Sequence, residues 1–344
     1  MQACRRLFLL AAGALTATLA AGLPEAAAEA TYVARIGHLE APSQPRHQAL
    51  EKLAALVLER TGGEVELQLF PSSQLGNARQ MVEGTQFGAM EGTVMPAAFL
   101  GGFNPVVSVL DLPFLFPADR EKAQELRQGP LGDYILESFE SRGLAAVALW
   151  PNGRKNVTSA QPMDEIAAFA GQKFRVMDSR ILIEQFSALG ASAVVIPFGE
   201  LYTALQTGVV DGQENPLDTI ATMKYFEVQK HLVLSEHGAM EDVFLFSPAW
   251  WGSLPEGHRE VITAAIEEVR PEVEQMKEAA QEKALETIRA AGVEVRELGA
   301  DERRAWRELM FPKAEAAYLE RAGEEGRKAL EIYRDEVERL GLAN

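Results

Sequence analysis

The chain has 344 residues, of which 47% are hydrophobic and 24% are charged, a length and composition that suit about two globular domains. The formal net charge is −17, and a surface this acidic repels nucleic acid phosphates and anionic lipid headgroups, which argues against nucleic acid as a partner. An anionic ligand would therefore have to be held by individual, locally placed Arg or Lys side chains.

The first thirty residues have the pattern of a cleavable export signal. Two arginines precede an apolar run over residues 7–20, and small residues follow up to Ala28-Glu29-Ala30, an A-x-A cleavage site. This run is shorter than the roughly 20 residues of a membrane-spanning helix. We therefore expect residues 1–30 to be a signal peptide and the mature chain to be exported without inserting into the membrane. An uncleaved anchor is the alternative, and the arginine pair leaves the export route, general or twin-arginine, open.

Strand and helix patterns alternate along the next two hundred residues. Strands are expected at residues 32–37, 64–70, 145–150, 173–177, 193–198 and 241–247, and helices at 45–61, 77–87, 120–142, 179–189 and 200–206. This βα alternation predicts an α/β protein with mainly parallel sheets. Ligands of such folds bind at the carboxyl ends of the strands.

Two long helical segments, residues 255–291 and 301–340, end the chain, and Pro271 predicts a kink or break in the first of them. We expect these helices to brace two domains, with dimerisation through an apolar stripe as the alternative. No linker rich in Gly, Ser or Pro is present, so the chain should cross between the domains more than once. The break signals at residues 150–153 and near Gly238 are the expected crossings.

Patterns of catalytic and metal-binding sites are missing from the sequence. It contains no G-x-S-x-G, H-E-x-x-H, P-loop or G-x-G-x-x-G motif, and no histidine is followed at i+4 by a second histidine or a cysteine that could share a metal ion with it. Cys4, in the leader, is the only cysteine, so the mature chain can form no disulfide. We therefore expect no metal and no cofactor, whereas paired carboxylates for acid/base chemistry stay open among the 50 Asp and Glu residues, with a hydrolase of that kind as a minor alternative.

Polar residues at the ends of apolar runs are the candidates for a binding site. Arg175 lies within an apolar strand and needs an acceptor, either a ligand or a structural salt bridge. Asn215 precedes a proline and is therefore extended, with an ordinary turn as the alternative. Lys155 is either a second cation in a loop or simply solvated, and Phe198 ends a strand, where core packing is its default role.

Several motifs together resemble the solute-binding subunits of tripartite ATP-independent periplasmic (TRAP) transporters. The segment Gly171-Gln-Lys-Phe-Arg175-Val and the run Pro197-Phe-Gly-Glu-Leu-Tyr to Gln213-Glu-Asn-Pro216 carry the resemblance, supported by Ser73-Gln-Leu-Gly76 and Leu112-Pro-Phe-Leu-Phe116. It implies a periplasmic protein with two lobes of Venus-flytrap type, tied together by long C-terminal helices, and it implies no enzymatic activity. We assign residues 31–152 and 240–280 to the first lobe, and 153–239 and 281–344, with the C-terminal helices, to the second.

The resemblance also implies roles for individual residues. Arg175 would pair with the ligand carboxylate, Asn215 would close on the ligand, Phe198 would line the pocket, and Asp178 falls at another pocket position. Lys155 stands where the family often has arginine, and we expect it to reach a second ligand oxygen. Weaker expectations of ligand contact concern the first domain: His38, Asn77, Glu91 and Thr93.

The function implied by the resemblance is capture of a small organic acid and its delivery to the integral membrane permease subunits of a TRAP transporter. Lys155 together with Arg175 slightly favours a C4-dicarboxylate, and a sugar acid or another hydroxylated monocarboxylate is the alternative. A binding protein that presents its ligand to a signalling partner would have the same sequence features.

Overall fold

A computed structural model gives the structure of residues 30–342; the expected signal peptide lies, apart from Ala30, outside the described residues. The strands are β1 Tyr32–Gly37, β2 Val65–Phe70, β3 Gly92–Pro96, β4 Ala145–Ser159, β5 Lys173–Val176, β6 Ser192–Val195, β7 Gly212–Asn215, β8 His231–Phe246 and β9 Glu294–Glu297. The helices are α1 Pro45–Arg60, α2 Ala78–Gln86, α3 Arg120–Gln128, α4 Pro130–Glu137, α5 Arg180–Ala188, α6 Leu201–Gln206, α7 Leu217–Thr222, α8 Pro248–Ser253, α9 Glu256–Ala290 and α10 Ala300–Arg339.

All of these strands join one continuous sheet in the order β2-β1-β3-β8-β4-β7-β5-β6, with β9 added to β8. The βα units pair their strands in parallel, as β1 does with β2 and β3 and β5 does with β6 and β7. The long strands β4 and β8 pair antiparallel with each other and with β7 and β3. The expectation of mainly parallel sheets therefore holds within each half of the sheet, while antiparallel strands join the halves.

The long strands β4 and β8 carry the chain from one lobe to the other. The outer parts of β4 pair with opposite ends of β8, Ala145–Trp150 with one end and Val157–Ser159 with the other, and one register shift, between Ala146 and Ala148, lies within the first of these parts. Register shifts interrupt the pairing between Pro151 and Gly153 and between Lys155 and Val157. The boundaries expected at residues 152 and 239 thus fall inside two continuous strands, where the ladder is irregular.

Separate hydrophobic cores lie on the two sides of this crossing. Leu50, Leu53, Val65 and Trp150 belong to a core of the first lobe, and Phe174 and Phe186 belong to a core of the second. We call the part built on β1–β3 with α1–α4 the first lobe and the part built on β5–β7 with α5–α7 the second lobe.

The two long C-terminal helices contact both lobes. In α9, Ile262 and Val273 pack in the core of the first lobe, and Ala284 and Ile288 pack in a core of the second. In α10, Trp306 packs in the second lobe, whereas later residues of the helix pack against α4 in the first. Both helices therefore brace the lobes, and the assignment of residues 281–344 to one lobe stays a prediction.

Helix breaks differ from those that the sequence predicts. Of the kink or break expected at Pro271, the break is wrong, because α9 continues through this residue with Val269 and Val273 buried on either side. The break in a C-terminal helix lies instead at Gly323 of α10, with φ 57° and ψ −132°. The helical stretch expected over residues 120–142 is divided at Gly129, because the following Pro130 disfavours helical geometry in the residue before it.

Candidate ligand-binding cleft

A cleft runs between the lobes at the carboxyl ends of β1, β3, β5 and β6. A cavity of about 400 Å³ is lined by Asn77 and Phe103 from the first lobe and by Asp178 and residues 195–200 from the second. A narrow cavity of about 20 Å³ adjoins it and shares three of its lining side chains: Leu39, Phe99 and Phe198. The lobes also touch across the cleft, where Gln44 Nε2 donates to Thr219 Oγ1 at 3.4 Å.

Arg175, on β5, is fully buried, and its Nε donates to the Ile196 carbonyl at 2.9 Å. Its two terminal nitrogens are buried without a hydrogen-bond partner among the described residues. Burial lowers the pKa of Arg175, but a guanidinium keeps its charge in proteins. Among residues 30–342 no acid forms a salt bridge with Arg175, so its two terminal nitrogens remain available to an acceptor. Arg175 itself lines neither cavity, but its Nε bonds Ile196, which lines the larger one.

The hydroxyl of Tyr225 shares the surroundings of Arg175. This hydroxyl is buried and likewise has no partner within residues 30–342. Burial raises the pKa of Tyr225, and the nearby positive charge of Arg175 opposes that rise. Tyr225 is therefore a neutral donor beside the guanidinium, and the sequence patterns gave no indication of it.

Asn215 ends strand β7 and lines the narrow cavity, so the alternative of an ordinary turn is wrong. Its amide nitrogen donates to Gln213 Oε1, and Gln213 Nε2 donates to Thr158 Oγ1 at 2.9 Å. These bonds fix the orientation of the Asn215 amide. Phe198, half-buried, lines both cavities, and the exposed Asp178 lines the larger one.

Lys155 is placed differently from the expectation. The side chain is buried rather than solvated, and its Nζ lies 3.1 Å from Glu214 Oε1, while the other Glu214 oxygen lies 2.7 Å from His237 Nε2. Burial raises the pKa of Glu214, but Lys155 and His237 outweigh it and hold the pKa at about 2. Because the ammonium is paired and lines neither cavity, this geometry offers no support for a ligand contact by Lys155.

His38 and Asn77 both have partners within the first lobe. His38 Nε2 lies 3.0 Å from His47 Nδ1, and burial together with Arg46 lowers the pKa of His38 to about 3, so it is neutral. It lines neither cavity, although the next two residues line the narrow one. Asn77 caps α2 through Gln80 and also faces the larger cavity, so it can both hold the helix and meet a ligand.

Glu91 and Thr93 lie away from the cleft. Glu91 precedes β3, at the end of the strand opposite the cleft, and forms an ion pair with Arg35 at 2.8 Å. The Thr93 hydroxyl is buried in the sheet and donates to the Gly37 carbonyl at 2.7 Å. The structure does not place these two side chains near Arg175, because only residues near the carboxyl end of β3 reach the cleft.

Comparison with known proteins places this architecture in a family. Residues 36–321 match the family model of DctP, bacterial extracellular solute-binding protein family 7. The chain belongs to this family of TRAP solute-binding proteins. The family consists of transport proteins that bind a solute, and it is not a family of enzymes.

Solved structures and a curated relative agree with this membership. A TRAP periplasmic solute-binding protein from Desulfovibrio salexigens with bound orotic acid is 65% identical, with a TM-score of 0.89, covering 90% of this chain and 99% of that one. The sugar acid-binding protein DctPAm from Advenella mimigardefordensis, in complex with galactonate, is 32% identical with a TM-score of 0.83 and coverages of 90% and 99%. The C4-dicarboxylate-binding periplasmic protein DctP of Rhodobacter capsulatus is 35% identical over 313 residues, covering 90% of this chain and 92% of the relative.

The inner end of the cleft of this TRAP solute-binding protein holds a buried polar network that sequence reasoning missed. Arg46 pairs with Asp242 at 2.6 Å and with Glu40 at 3.3 Å, and Asn152 Nδ2 donates to Asp242 Oδ1 at 3.0 Å. Lys277, in the middle of α9, joins Glu40 to Asp218. The sequence feature that could have indicated this network is the presence of charged residues within predicted helices and strands whose other residues form the core.

Two further kinds of feature are absent from residues 30–342. These residues contain no group of three or more His, Cys, Asp or Glu side chains placed to hold a metal ion. None of their helices combines the length and the apolar character that a membrane span requires.

Proposed function

We propose that this protein captures a small monocarboxylate with a planar polar ring, with orotate as the first candidate, and delivers it to the membrane permease of a TRAP transporter. The observation that carries the proposal is the buried guanidinium of Arg175, whose two terminal nitrogens have no partner in the described chain. A guanidinium presents two parallel N–H groups that match the two oxygens of a carboxylate.

The charges around the cleft favour one carboxylate over two. Among the cationic side chains that residues 30–342 place in or beside the cleft, Arg46, Arg79 and Lys155 each pair with an acid. Arg175 alone of these four has no acidic partner. The slight preference for a dicarboxylate depended on a free Lys155, and its bond to Glu214 removes that support.

The shape and lining of the cleft favour a planar ring. Phe99, Phe103 and Phe198 contribute aromatic surface to the larger cavity, from both lobes. Such faces pack well against a flat heterocycle. The 65% identical protein from Desulfovibrio salexigens was solved with orotic acid, a carboxylate on a planar pyrimidinedione ring. Sugar acids, such as the galactonate of the Advenella protein, remain the second candidate class.

Closure of the two lobes supplies the binding energy in this proposal. In the absence of an anion, the desolvated positive charge of Arg175 is a cost to the closed form. A carboxylate removes that cost and forms a charge-assisted pair in a site from which water is excluded. Since Phe198 and Asn215 belong to the second lobe and Phe99 to the first, the ligand contacts both lobes only when they are closed, which shifts the hinge equilibrium.

The place of action in this proposal is the periplasm. Residues 1–30 have the pattern of a cleavable signal peptide, and the family is extracytoplasmic. The permease subunits would then recognise the closed conformation of the binding protein. Mass spectrometry of the protein from a periplasmic extract tests this part: we expect a mature chain beginning at Thr31, and a mass equal to that of the full chain would contradict it.

The test of the ligand class is a titration of residues 31–344 with orotate, succinate and galactonate, followed by thermal unfolding and calorimetry. We expect orotate to bind most tightly and Arg175→Ala to weaken that binding by at least about 30-fold, corresponding to the loss of a buried charged partner. Without ligand, Arg175→Met, which keeps much of the side-chain volume, should be no less stable than the wild type, because a buried unpaired charge has been removed.

The matched control is Arg180→Ala, which removes an exposed arginine five residues away, paired with Glu184 on α5. It should leave orotate affinity unchanged. Equal affinity of the Arg175→Ala variant and the wild type would contradict the role of Arg175, and tighter binding of succinate than of orotate would contradict the ligand class.

A further inference from the structure

Three polar atoms at the narrow inner end of the cleft are buried with neither a hydrogen-bond partner nor an ion pair among the described residues: Glu40 Oε2, Arg46 Nε and Asn152 Oδ1. The three residues are at most 3% exposed, and all of them line the narrow cavity. Leaving such groups unpaired costs free energy, so their presence together beside a cavity indicates a group that bonds to them.

The positions of these three atoms are fixed by their neighbours. Asp242 accepts from Asn152 Nδ2 and pairs with Arg46 Nη1, which orients the Asn152 oxygen and the Arg46 Nε away from Asp242. One Glu40 oxygen pairs with Arg46 and Lys277, which leaves the other oxygen free. Although burial raises the pKa of Glu40, Arg46 and Lys277 hold it at about 2, so Glu40 is an acceptor at neutral pH.

We propose that Glu40, Arg46 and Asn152 form the specificity-determining end of the binding site and recognise a neutral edge of the ligand in which an N–H donor stands beside a carbonyl acceptor. This inference rests on the proposed function, because it concerns the ligand end opposite the carboxylate held by Arg175. Glu40 Oε2 or Asn152 Oδ1 accepts the ligand N–H, and Arg46 Nε donates to the adjacent carbonyl.

The chemistry of this end discriminates between ligand classes. The imide edge of orotate lies directly across the ring from its carboxylate, and it presents an N–H between two carbonyl groups. A second carboxylate, as in a C4-dicarboxylate, offers acceptors only and would face the ionised Glu40 and the Asn152 oxygen. Sites built to bond a particular donor reject analogues that lack it, since their own buried groups are then left unpaired.

The narrowness of this end limits what it can hold. In this conformation the narrow cavity measures about 20 Å³, which is space for about one water molecule. The edge of a ring therefore enters it only if the lobes part slightly or if the ring extends into it from the larger cavity. Phe99 and Phe198 line both cavities and would lie along such a ring. A bound water that satisfies the three atoms is the competing explanation, and the experiment distinguishes the two.

The experiment compares orotate with benzoate, a planar carboxylate without the imide edge, and with 3-methylorotate, in which a methyl group replaces the imide hydrogen. In the wild type we expect orotate to bind at least about tenfold more tightly than either analogue. Glu40→Gln should reduce the ratio of orotate to benzoate affinity at least about tenfold. The control Glu91→Gln changes the same residue type in an ion pair outside the cleft and should leave the ratio unchanged.

The outcomes separate this inference from the proposed function. If orotate binds through Arg175 but 3-methylorotate binds equally well and Glu40→Gln leaves the ratio unchanged, the inference is overturned and the three atoms are bonded by water. If Glu40→Gln does not fold, the comparison of orotate with 3-methylorotate in the wild type decides. If no carboxylate binds, or if Arg175→Ala binds orotate as the wild type does, the proposed function fails first and the inference with it.

Discussion

The ammonium of Lys155 lies 3.1 Å from Oε1 of Glu214, and both side chains are buried between β4 and β7. Glu214 is immediately followed by Asn215, which lines the cleft. His237, on β8, bonds the other Glu214 oxygen at 2.7 Å. Glu214, bonded to both Lys155 and His237, therefore links β7 to β4 and β8 directly behind the binding site. These contacts lie next to the irregular part of the strands that cross between the lobes.

Replacing Glu214 by glutamine should destabilise the fold by about 3–5 kcal/mol at pH 7, because Lys155 would be left as a buried charge without its partner. The pKa of Glu214 is about 2 in the folded protein, below its ordinary 4.5. Its contribution is therefore fully present above about pH 4.5 and is lost as the pH falls toward 2. Urea unfolding at pH 7 and at pH 3 should show the difference between wild type and variant shrinking at the lower pH.

The control for this substitution is Glu137→Gln, at an exposed position near the end of α4. It should change the free energy of unfolding by no more than about 0.5 kcal/mol. An equally small effect of Glu214→Gln would mean that the ion pair with Lys155 contributes little to stability.

Asp111 should be a site where a neutral substitution stabilises the protein. Burial raises the pKa of Asp111 to about 6, and Lys155 only partly opposes that rise. The folded protein therefore loses stability as the pH rises from about 3.8 through 6, since the folded state disfavours the charge. Asp111→Asn can still accept the hydrogen bond from Ser179 Oγ, at 2.7 Å, and should raise the free energy of unfolding by up to about 3 kcal/mol at pH 8.

The measurement is thermal unfolding of Asp111→Asn and wild type from pH 3.5 to pH 8. The difference should vanish near pH 3.5, where the aspartate is protonated in both folded and unfolded states. Asp164→Asn, at an exposed position, is the control and should show no such pH-dependent gain. A variant that is less stable than the wild type at pH 8 would show that the charge of Asp111 is needed beside Lys155.

Lys277 should be essential for the stability of the contact between α9 and the two lobes. Its Nζ lies 2.8 Å from Asp218 in the second lobe and 3.5 Å from Glu40 in the first, and all three side chains are buried. Lys277→Met keeps much of the side-chain volume but leaves two carboxylates without this partner, so we expect a loss of about 3–5 kcal/mol. Denaturant unfolding would measure it.

The control on the same helix is Lys283→Met, because Lys283 is exposed. Its effect should stay within about 0.5 kcal/mol. If the two variants are equally stable, the ion pairs of Lys277 contribute no more free energy to folding than the solvation that these buried charges lose.

Gly323 should tolerate no other residue without a loss of stability. Its φ of 57° and ψ of −132° divide α10 into two helical parts, and this region of backbone space belongs almost entirely to glycine. Gly323→Ala should cost about 1–3 kcal/mol even though a Cβ there would meet no atom within 4 Å. Gly257→Ala, in the first turn of α9 with equally open space, is the control and should instead stabilise by up to about 1 kcal/mol. A gain at both positions would contradict the strain at Gly323.

The local periodicity of the sequence was sufficient to predict most of the individual strands and helices. The strand at residues 32–37 and the helix that begins at Pro45 agree with the structure, because each buries an apolar face that repeats at its own period. The full lengths of β4 and β8 were missed, since only their first-lobe halves are uninterrupted apolar runs. The remaining parts hold buried polar residues whose partners lie on other segments: Asn156 Oδ1 accepts from the Glu236 N–H, and His237 bonds Glu214.

The sequence by itself determined the family and identified Arg175, Asn215 and Phe198 as candidates, because Arg175 stands in the motif at residues 171–176 and the other two stand in the motif at residues 197–216. Only the tertiary structure decided which charges are free. Arg175 and Lys155 look alike in the sequence as cations near apolar runs, but Glu214 forms an ion pair with Lys155 across the β4–β7 pairing, whereas no acid within residues 30–342 forms an ion pair with Arg175. Charge pairing depends on distances between segments far apart in the chain, and for that reason no local pattern could place Glu40, Arg46 and Asn152 together at the end of the cleft.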